Sequence, residues 1–398
     1  MDKEQIQQII AFIRGLYPGR DFIALHEPLF SGNESKYTQD CIDSTFVSSV
    51  GKYVDRFEEM IREYTGAKYA IATVNGTAAL HIALKLAGVG QGDLVITQAL
   101  TFIATCNAIT YCGAEPVFVD IGRDTLGMSP DSLESWLKAN TVVVAGDCYY
   151  QPQQGAAVPD VGAANQLGLK RISACVPMHT FGHPCQIDKI VAICDRYHIP
   201  VVEDSAESIG SYYKDQHTGT FGKLGIFSFN GNKTITTGGG GMVVTNDDEL
   251  GPLAKHITTT AKKPHPWRFE HDRIGYNYRL PNINAALGCA QMEKLPEILK
   301  NKRETAKAYQ SFFSDYTEIE FIDEPQGCVS NFWLNAILLK DVSAREAFLK
   351  ETNENRVMSR PAWILMNELQ MYKDCIAADL PVSQEIADRL VNIPSSVR

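Results

Sequence analysis

The sequence lacks long apolar runs, paired cysteines and blocks of like charge, and each absence excludes a class of protein. No stretch approaches the roughly 20 apolar residues that a membrane-spanning helix needs. Ten cysteines occur singly, without the spacing of a zinc site or a disulfide framework. With 47 acidic against 37 basic residues the formal charge is −10, so binding of nucleic acid would require a local basic patch that we do not find. We expect a cytoplasmic protein that binds neither membrane nor nucleic acid.

The 398 residues are enough for two modest domains, and the first part of the chain alternates predicted strands with predicted helices. Strands separated by helices indicate a mostly parallel sheet covered on both faces. The predicted strands are 69–74, 94–97, 116–119, 172–178 and 199–203. The predicted helices are 2–14, a helix running from 51 to the glycine at 66, 102–112, 132–139 and 187–197.

A long helix is predicted to begin near residue 280, because its apolar residues form one stripe. Beyond it the pattern becomes a mixture of short strands (319–322 and 333–338) and helices (near 344–351 and 385–391). We therefore predict a large domain over residues 1–280 and a smaller C-terminal α+β domain over 281–398. Residues 149–166, rich in Gln, Gly, Ala and Pro, are interpreted as an irregular insertion.

One lysine stands in an unusual position. Lys233 ends segment 227–233 (Phe-Ser-Phe-Asn-Gly-Asn-Lys), and four glycines follow at 238–241. Because apolar strands flank a loop of small residues, we expect the amine at a sheet edge in a cleft of low dielectric constant. Such a cleft favours the neutral amine, which is the form that attacks an aldehyde. The ordinary alternative is a solvated loop lysine, since buried lysines are rare.

Two further features give this lysine a context. Asp204 follows the apolar strand 199–203, and a carboxylate there could keep a pyridinium nitrogen protonated. Gly76 and Thr77 open a helix whose free N–H groups suit a phosphate. Read alone, Asp204 is equally well a helix N-cap, and a Gly-Thr pair before a helix is more often an ordinary cap than a phosphate site. Ligands lie beyond the carboxyl ends of parallel strands, so Asp204 and the Gly76-Thr77 pair both stand where chemistry is expected.

These features, in this order, resemble the sugar aminotransferase branch of fold-type I pyridoxal-phosphate enzymes over nearly the whole chain. The resemblance implies an α/β fold with a mostly parallel sheet, flanking helices and a smaller C-terminal domain. Its motifs are residues 75–80, 101–105, 204–207, 228–233, 275–280, 285–288 and 392–396.

The resemblance implies a role for each matching residue. Lys233 binds pyridoxal 5'-phosphate as a Schiff base and moves the proton, and Asp204 pairs with the ring nitrogen. Glu207 stands near the ring hydroxyl, where the family often has Gln. The remaining implied cofactor contacts are ring stacking by Phe102, phosphate binding by Gly76, Thr77, the Ala78 backbone and Ser228, and a phosphate contact from Asn277 of the partner subunit. Arg279 is a further contact across the resulting homodimer, so the active sites are shared.

The resemblance also points to the substrate. It implies transfer of an amino group from L-glutamate to a nucleotide-linked 4-keto-6-deoxy sugar, as in routes to bacillosamine or legionaminic acid. UDP-2-acetamido-2,6-dideoxy-hexos-4-ulose is the substrate that it suggests. His179 and His183 are candidates for the sugar site, with a role in shaping the turn as the alternative. Two histidines without a third ligand do not form a zinc site.

Three other functions compete with this interpretation. A sugar dehydratase of the same fold would carry histidine at the position of Lys233. A non-catalytic pyridoxal-phosphate-binding regulator is disfavoured by the intact set of Lys233, Asp204 and Thr77. An aminotransferase acting on a carbocyclic ketone would have the same cofactor motifs, so it remains the main alternative.

Overall fold

A computed structural model of the chain describes residues 2–151 and 168–398. The predicted insertion at 149–166 lies largely outside the described residues. Within them, none of the helices combines the length and the apolar character needed to cross a bilayer.

The described helices and strands alternate through the first two thirds of the chain. The helices are α1 Lys3–Leu16, α2 Glu34–Asp43, α3 Lys52–Thr65, α4 Gly76–Leu86, α5 Ile103–Tyr111, α6 Pro130–Asn140, α7 Ile187–Arg196, α8 Leu250–Thr258, α9 Asn282–Phe313, α10 Val342–Glu354 and α11 Pro381–Arg389. The strands are β1 Tyr69–Thr73, β2 Leu94–Gln98, β3 Glu115–Val119, β4 Thr141–Val144, β5 Asp147–Tyr150, β6 Arg171–Val176, β7 Val202–Asp204, β8 Tyr212–Tyr213, β9 Gln216–His217, β10 Leu224–Ser228, β11 Gly241–Thr245, β12 Glu320–Phe321, β13 Cys328–Val329, β14 Asn335–Leu338, β15 Arg360–Pro361 and β16 Leu390–Ile393.

The central sheet has the order β1-β11-β10-β7 on one side and β6-β2-β3 on the other. Parallel bridges from Cys175 to Val201 and from Met178 to Asp204 join the two halves. Strands β10, β7, β6, β2 and β3 are parallel, whereas β11 runs antiparallel between β1 and β10. Buried apolar residues cover both faces, as a parallel sheet requires. The predicted fold class, a fold-type I α/β architecture, is confirmed.

Two elements were not predicted from the sequence: α2, in the segment after α1, and the β4-β5 hairpin of residues 141–150. The last predicted helix, near 385–391, overlaps α11 (Pro381–Arg389) but extends too far, because residues 390–393 form the fully buried strand β16 between β14 and β15. A short apolar run fits a buried strand and a helix equally well, so periodicity could not separate the two.

A second sheet, of order β12-β14-β16-β15, forms the C-terminal part. The first helix belongs with it, because Ile6, Ile9 and Ile13 of α1 pack in one cluster with residues of β14 and β16. The chain therefore begins on the C-terminal sheet before it crosses to the central one. The boundary at residues 280 and 281 remains a prediction.

Lys302 links the long helix α9 to both the C-terminal segment and the active-site region. Its side chain is buried, and Nζ donates hydrogen bonds to the carbonyl oxygens of Trp333 (3.2 Å) and Ser395 (2.7 Å). Burial lowers the pKa of the Lys302 amine to about 7. The amine thus holds the segment around Trp333 in place, and it carries a full charge only below neutral pH.

Because of the lowered pKa of Lys302, the unfolding free energy of the protein is expected to rise with pH above neutrality. Above pH 7 the folded chain has released this proton while the unfolded chain still binds it, so the unfolding free energy rises with pH up to the ordinary pKa of lysine. Relative to Lys302→Met, we expect the wild type to gain on the order of 3 kcal/mol between pH 7 and pH 10. Denaturant titrations of both proteins across this range measure the difference. Parallel pH profiles would contradict the prediction.

Candidate active site

A pocket of about 290 Å³ opens at the carboxyl ends of β7 and β10. The strands deliver polar side chains to its floor, while the start of α4 and the segment leading into α5 form its walls. Its lining residues are Asn75, Gly76, Thr77, Leu80, Phe102, Ala104, Met178, Asp204, Ala206, Glu207, Ile226, Ser228, Asn230, Asn232, Lys233, Trp333 and Trp363. Most of the residues predicted from sequence thus meet in one place.

Lys233 lies in the loop between β10 and β11, and only 12% of its side chain is exposed. Its Nζ is 3.1 Å from Glu207 Oε1 and 4.0 Å from the centre of the Trp333 ring. The amine is therefore held inside the pocket by an anion and an aromatic face. A cleft position for Lys233 was predicted from the sequence, but its contact with Glu207 was not.

Glu207 is fully buried at the floor of the pocket. Besides its contact with Lys233, it accepts a hydrogen bond from the Phe181 N–H to Oε2 at 2.9 Å. Burial raises the pKa of the Glu207 carboxyl to about 7, and the charge of Lys233 opposes part of that rise. A carboxyl with such a pKa can hold or give up a proton near neutral pH, which the Gln often found in the family cannot do.

Asp204 ends β7 and is 4% exposed. The Thr105 hydroxyl donates to its Oδ2 at 2.7 Å, and the Ala206 N–H donates to Oδ1 at 3.2 Å. These two bonds fix the carboxylate at the mouth of the parallel strands. An anion held there can pair with a protonated ring nitrogen.

The N-terminus of α4 faces the same pocket. Asn75 caps this helix, since its side chain accepts the Ala78 N–H at 2.8 Å. A methyl group added at Gly76 would lie 2.8 Å from Cβ of Ser228, so glycine allows the helix to approach β10 closely. Gly76, Thr77 and Ser228 consequently form a cradle of small groups at a helix N-terminus, which suits a phosphate. In this structure the Ala78 N–H is already engaged by Asn75.

Phe102 stands over the pocket rather than in the core. It precedes α5, and 46% of its surface is exposed. The Trp363 ring lies 6.0 Å away, centre to centre. An aromatic ring left open beside a cavity is available to stack on a planar ligand.

Two of the predicted contacts lie outside this pocket. Asn277 is exposed, and its side-chain oxygen accepts hydrogen bonds from the Arg279 guanidinium at 2.9 and 3.1 Å. Neither residue lines the pocket of its own chain. A role in a neighbouring subunit's site stays a prediction.

The structure does not bring the two predicted histidines to the pocket. His179 is fully buried; its Nε2 is 3.0 Å from Glu203, and its Nδ1 accepts the Cys185 N–H. His183 packs edge-on against Phe332 and also lies outside the lining. The expectation that they contact the sugar is therefore unsupported, because the turn folds both rings into the interior.

Sequence reasoning missed the residues that come from the C-terminal part of the chain. Trp333 and Trp363 line the pocket, and Trp333 Nε1 donates to the Asn232 carbonyl at 2.7 Å beside Lys233. Asn331 supports the segment that follows β7, because its Nδ2 donates to the carbonyls of Glu207 and Ile209. No local motif marks them, since they reach the site only through tertiary packing.

The residues present fit pyridoxal phosphate. Lys233 could form the covalent link, Asp204 could face the ring nitrogen, and Gly76, Thr77 and Ser228 could hold the phosphate. The close approach of Gly76 to Ser228 independently indicates a cradle that a larger side chain would fill.

The chain is similar to known proteins over nearly its whole length. Residues 29–398 match the DegT/DnrJ/EryC1/StrS aminotransferase family. GDP-perosamine synthase of Escherichia coli O157:H7 is 35% identical over 374 residues, which span 94% of this chain and 93% of the relative. A solved DegT DnrJ EryC1 StrS aminotransferase from Brucella abortus has a TM-score of 0.77 and 26% identity, covering 91% of this chain and 90% of its own. Helicobacter pylori PseC, an aminotransferase of pseudoaminic acid biosynthesis, shares the fold with a TM-score of 0.81 at 24% identity, covering 94% and 93%.

Proposed function

This chain belongs to the DegT/DnrJ/EryC1/StrS aminotransferase family and is a pyridoxal-phosphate-dependent aminotransferase, and from that premise we propose that it transfers the amino group of L-glutamate to the keto carbon of a nucleotide-linked 4-keto-6-deoxy sugar. The observation that carries the proposal is the convergence of Lys233, Asp204 and the start of α4 on one pocket.

When bound, pyridoxal phosphate supplies an aldehyde that receives the amino group and an aromatic ring that accommodates an electron pair. The protein supplies the positions and the protons. Lys233 Nζ would hold the cofactor covalently, and as a free amine it would accept and give back the proton of the donor's Cα. Asp204 would keep the ring nitrogen protonated, and Glu207 would hold a proton near the ring hydroxyl. Phe102 and the small residues of the cradle would fix the ring and its phosphate.

The finer proposal is that the ketone is UDP-2-acetamido-2,6-dideoxy-hexos-4-ulose. The resemblance of residues 178–184, 206–208 and 228–233 to enzymes of the bacillosamine and legionaminic acid routes supports it. The name of the Escherichia coli relative states a GDP-linked product. A GDP-linked ketone is therefore the alternative substrate.

We also propose a homodimer with shared active sites. The support is the position of Asn277 and Arg279, which are accessible on the surface and absent from the pocket of their own chain. In the second subunit's site these groups would reach the phosphate end of the cofactor.

The test is a substrate panel. The protein is reconstituted with pyridoxal phosphate and incubated with L-glutamate and one ketone at a time: UDP-linked and GDP-linked 4-keto-6-deoxy sugars, and a carbocyclic ketone. Release of 2-oxoglutarate and the mass of the product are followed together. Amination of a nucleotide-linked ketone is the expected result. Failure with every one of them, together with amination of the carbocyclic ketone, would overturn the proposed substrate in favour of the alternative.

A further inference from the structure

A second cavity, here named the side chamber, adjoins the cofactor pocket. Its volume is about 410 Å³. The two cavities share Asn232, Trp333 and Trp363 as a common wall. The other residues lining the side chamber are Leu25, His26, Phe181, Leu334, Met358, Arg360, Pro361, Ala362 and Asn392. A ligand in this chamber would therefore lie directly beside the cofactor.

Two side chains that line the side chamber have polar atoms without a well-formed hydrogen bond. Both ring nitrogens of His26 are closed off from solvent although part of that residue reaches the surface, and Oδ1 of Asn392 is closed off likewise. Within the described residues Oδ1 of Asn392 forms no hydrogen bond, and neither ring nitrogen of His26 has a partner at good hydrogen-bond geometry, although the Asn232 backbone lies close enough to favour the protonated ring. An unpaired buried polar group is destabilising, so such groups call for an explanation. A ligand that donates and accepts hydrogen bonds would satisfy both.

The interior of the chamber and its exposed side differ in charge. Burial, together with the nearby charges of Lys302 and Lys233, lowers the pKa of His26 well below its usual value, so the ring is neutral at pH 7. Arg360 is exposed, and among the described residues its guanidinium has only the Ser359 carbonyl, 3.4 Å away, as a partner. None of the residues that line the chamber carries a carboxylate.

Aromatic faces complete the walls. The Trp363 ring lies 5.1 Å from that of Phe181, and Trp333 borders both cavities. Apolar walls with a few placed polar groups are usual for small-molecule sites. Here the polar groups inside are neutral and the cation is outside. This arrangement suits an uncharged ring that bears hydroxyl or amide groups and leads to an anionic tail. It suits glutamate less well, because glutamate carries a carboxylate at each end.

We propose that the side chamber binds the hexose ring of the ketone substrate, with His26 and Asn392 bonded to its ring substituents and Arg360 facing the diphosphate. The inference rests on the proposed function, and it names the residues that select the sugar. His26 is the specificity-determining residue, because its ring can both donate and accept at the buried end of the chamber.

The experiment measures the two half-reactions separately by stopped flow. Protein loaded with pyridoxal phosphate is mixed with glutamate, and the aminated protein is mixed with the nucleotide-linked ketone that the wild type uses. His26→Phe keeps a planar ring but removes its hydrogen bonds, so we expect kcat/KM for the ketone to fall about tenfold or more, mainly through KM. The glutamate half-reaction should stay within about twofold. His26→Asn, which restores a donor and an acceptor, should recover part of the loss.

The matched control is His183→Phe. His183 is a second buried imidazole without a hydrogen-bond partner in the described residues, and it lines neither cavity. The His183→Phe variant should carry out both half-reactions with rates near those of the wild type. Arg360→Met should raise KM for the nucleotide-linked ketone without changing that for glutamate.

The possible failures are distinguishable. If the wild type aminates no nucleotide-linked ketone, the proposed function fails and this inference falls with it. If the wild type does so but His26→Phe, with full cofactor loading, keeps the wild-type kcat/KM for the ketone, only the inference is overturned. An equal slowing of both half-reactions would also overturn it, because that result indicates a structural role for His26.

Discussion

Replacing Lys233 by alanine is expected to lower aminotransferase turnover by more than about 10⁴-fold, because the residue combines covalent attachment of the cofactor with proton transfer. Lys233 is the one lysine among the residues that line the described pocket, so no second lysine amine there could replace it in either role. Cofactor could still bind through its phosphate and ring contacts, so the loss should appear in turnover more than in folding. Release of 2-oxoglutarate from glutamate measures turnover.

Two measurements make the Lys233 prediction specific. Borohydride reduction of the loaded wild type should fix the cofactor mass on the peptide that contains Lys233, and the variant should show no such adduct. Small primary amines should restore a fraction of the lost rate. Lys340→Ala is the control, because Lys340 is exposed and pairs with Glu318 away from the pocket; it should behave as wild type. A Lys233→Ala protein with full turnover and no added amine would refute the role.

The sequence allowed the central part of the site to be predicted because its residues sit at strand ends and a helix start. Asp204 ends β7, Ser228 ends β10, and Gly76 begins α4. A parallel sheet brings such ends to one edge, so the sequence positions of Asp204 and Gly76 indicated that they lie close together, whereas the role of Ser228 was implied by the family resemblance. The prediction did not depend on any side-chain conformation.

The resemblance was less informative for residues whose position depends on packing. It made His179 a candidate for the sugar site, but the structure does not place the ring at the pocket. The ring instead turns inward to Glu203, whose carboxylate also accepts N–H groups of Gly219 and Phe221. The residues of that network are spread over more than forty sequence positions, so no local pattern could have revealed it.

The active-site residues from the C-terminal part of the chain could not be predicted, for a different reason. Trp333, Trp363 and Arg360 reach the active-site region because the C-terminal sheet docks beside the central one. Their local sequences show short strands and loops without a motif. Likewise, His26 lies in an irregular segment before α2 that offers no periodicity to interpret. Residues that shape a substrate cavity from a second layer of the fold can be found only when the packing of the layers is known.

The second large effect is expected at Asp204. Asp204→Asn should lower turnover by about 10²–10⁴-fold, the range that one positioned charge or proton-transfer group contributes. The uncharged amide cannot keep the ring nitrogen protonated, and an unprotonated ring stores less charge. The fold should tolerate the change, because the Thr105 hydroxyl that now donates to Oδ2 can accept from an amide instead. Turnover and thermal unfolding of the variant test the two parts of this prediction.

The neighbouring carboxylate provides the matched contrast. Glu203 precedes Asp204 but points away from the pocket, where it accepts the N–H groups of Gly219, Phe221 and Gly222 as well as facing His179. Glu203→Gln should therefore lower the unfolding free energy, by about 3–5 kcal/mol if it acts as a broken buried ion pair, while turnover per folded molecule stays near wild type. Asp204 would then affect turnover, and Glu203 would affect stability. The two differ because successive side chains of a strand face opposite sides of the sheet. If Asp204→Asn kept its turnover, or lost it only in proportion to the protein unfolded, Asp204 would be structural and its assignment to the ring nitrogen would be wrong.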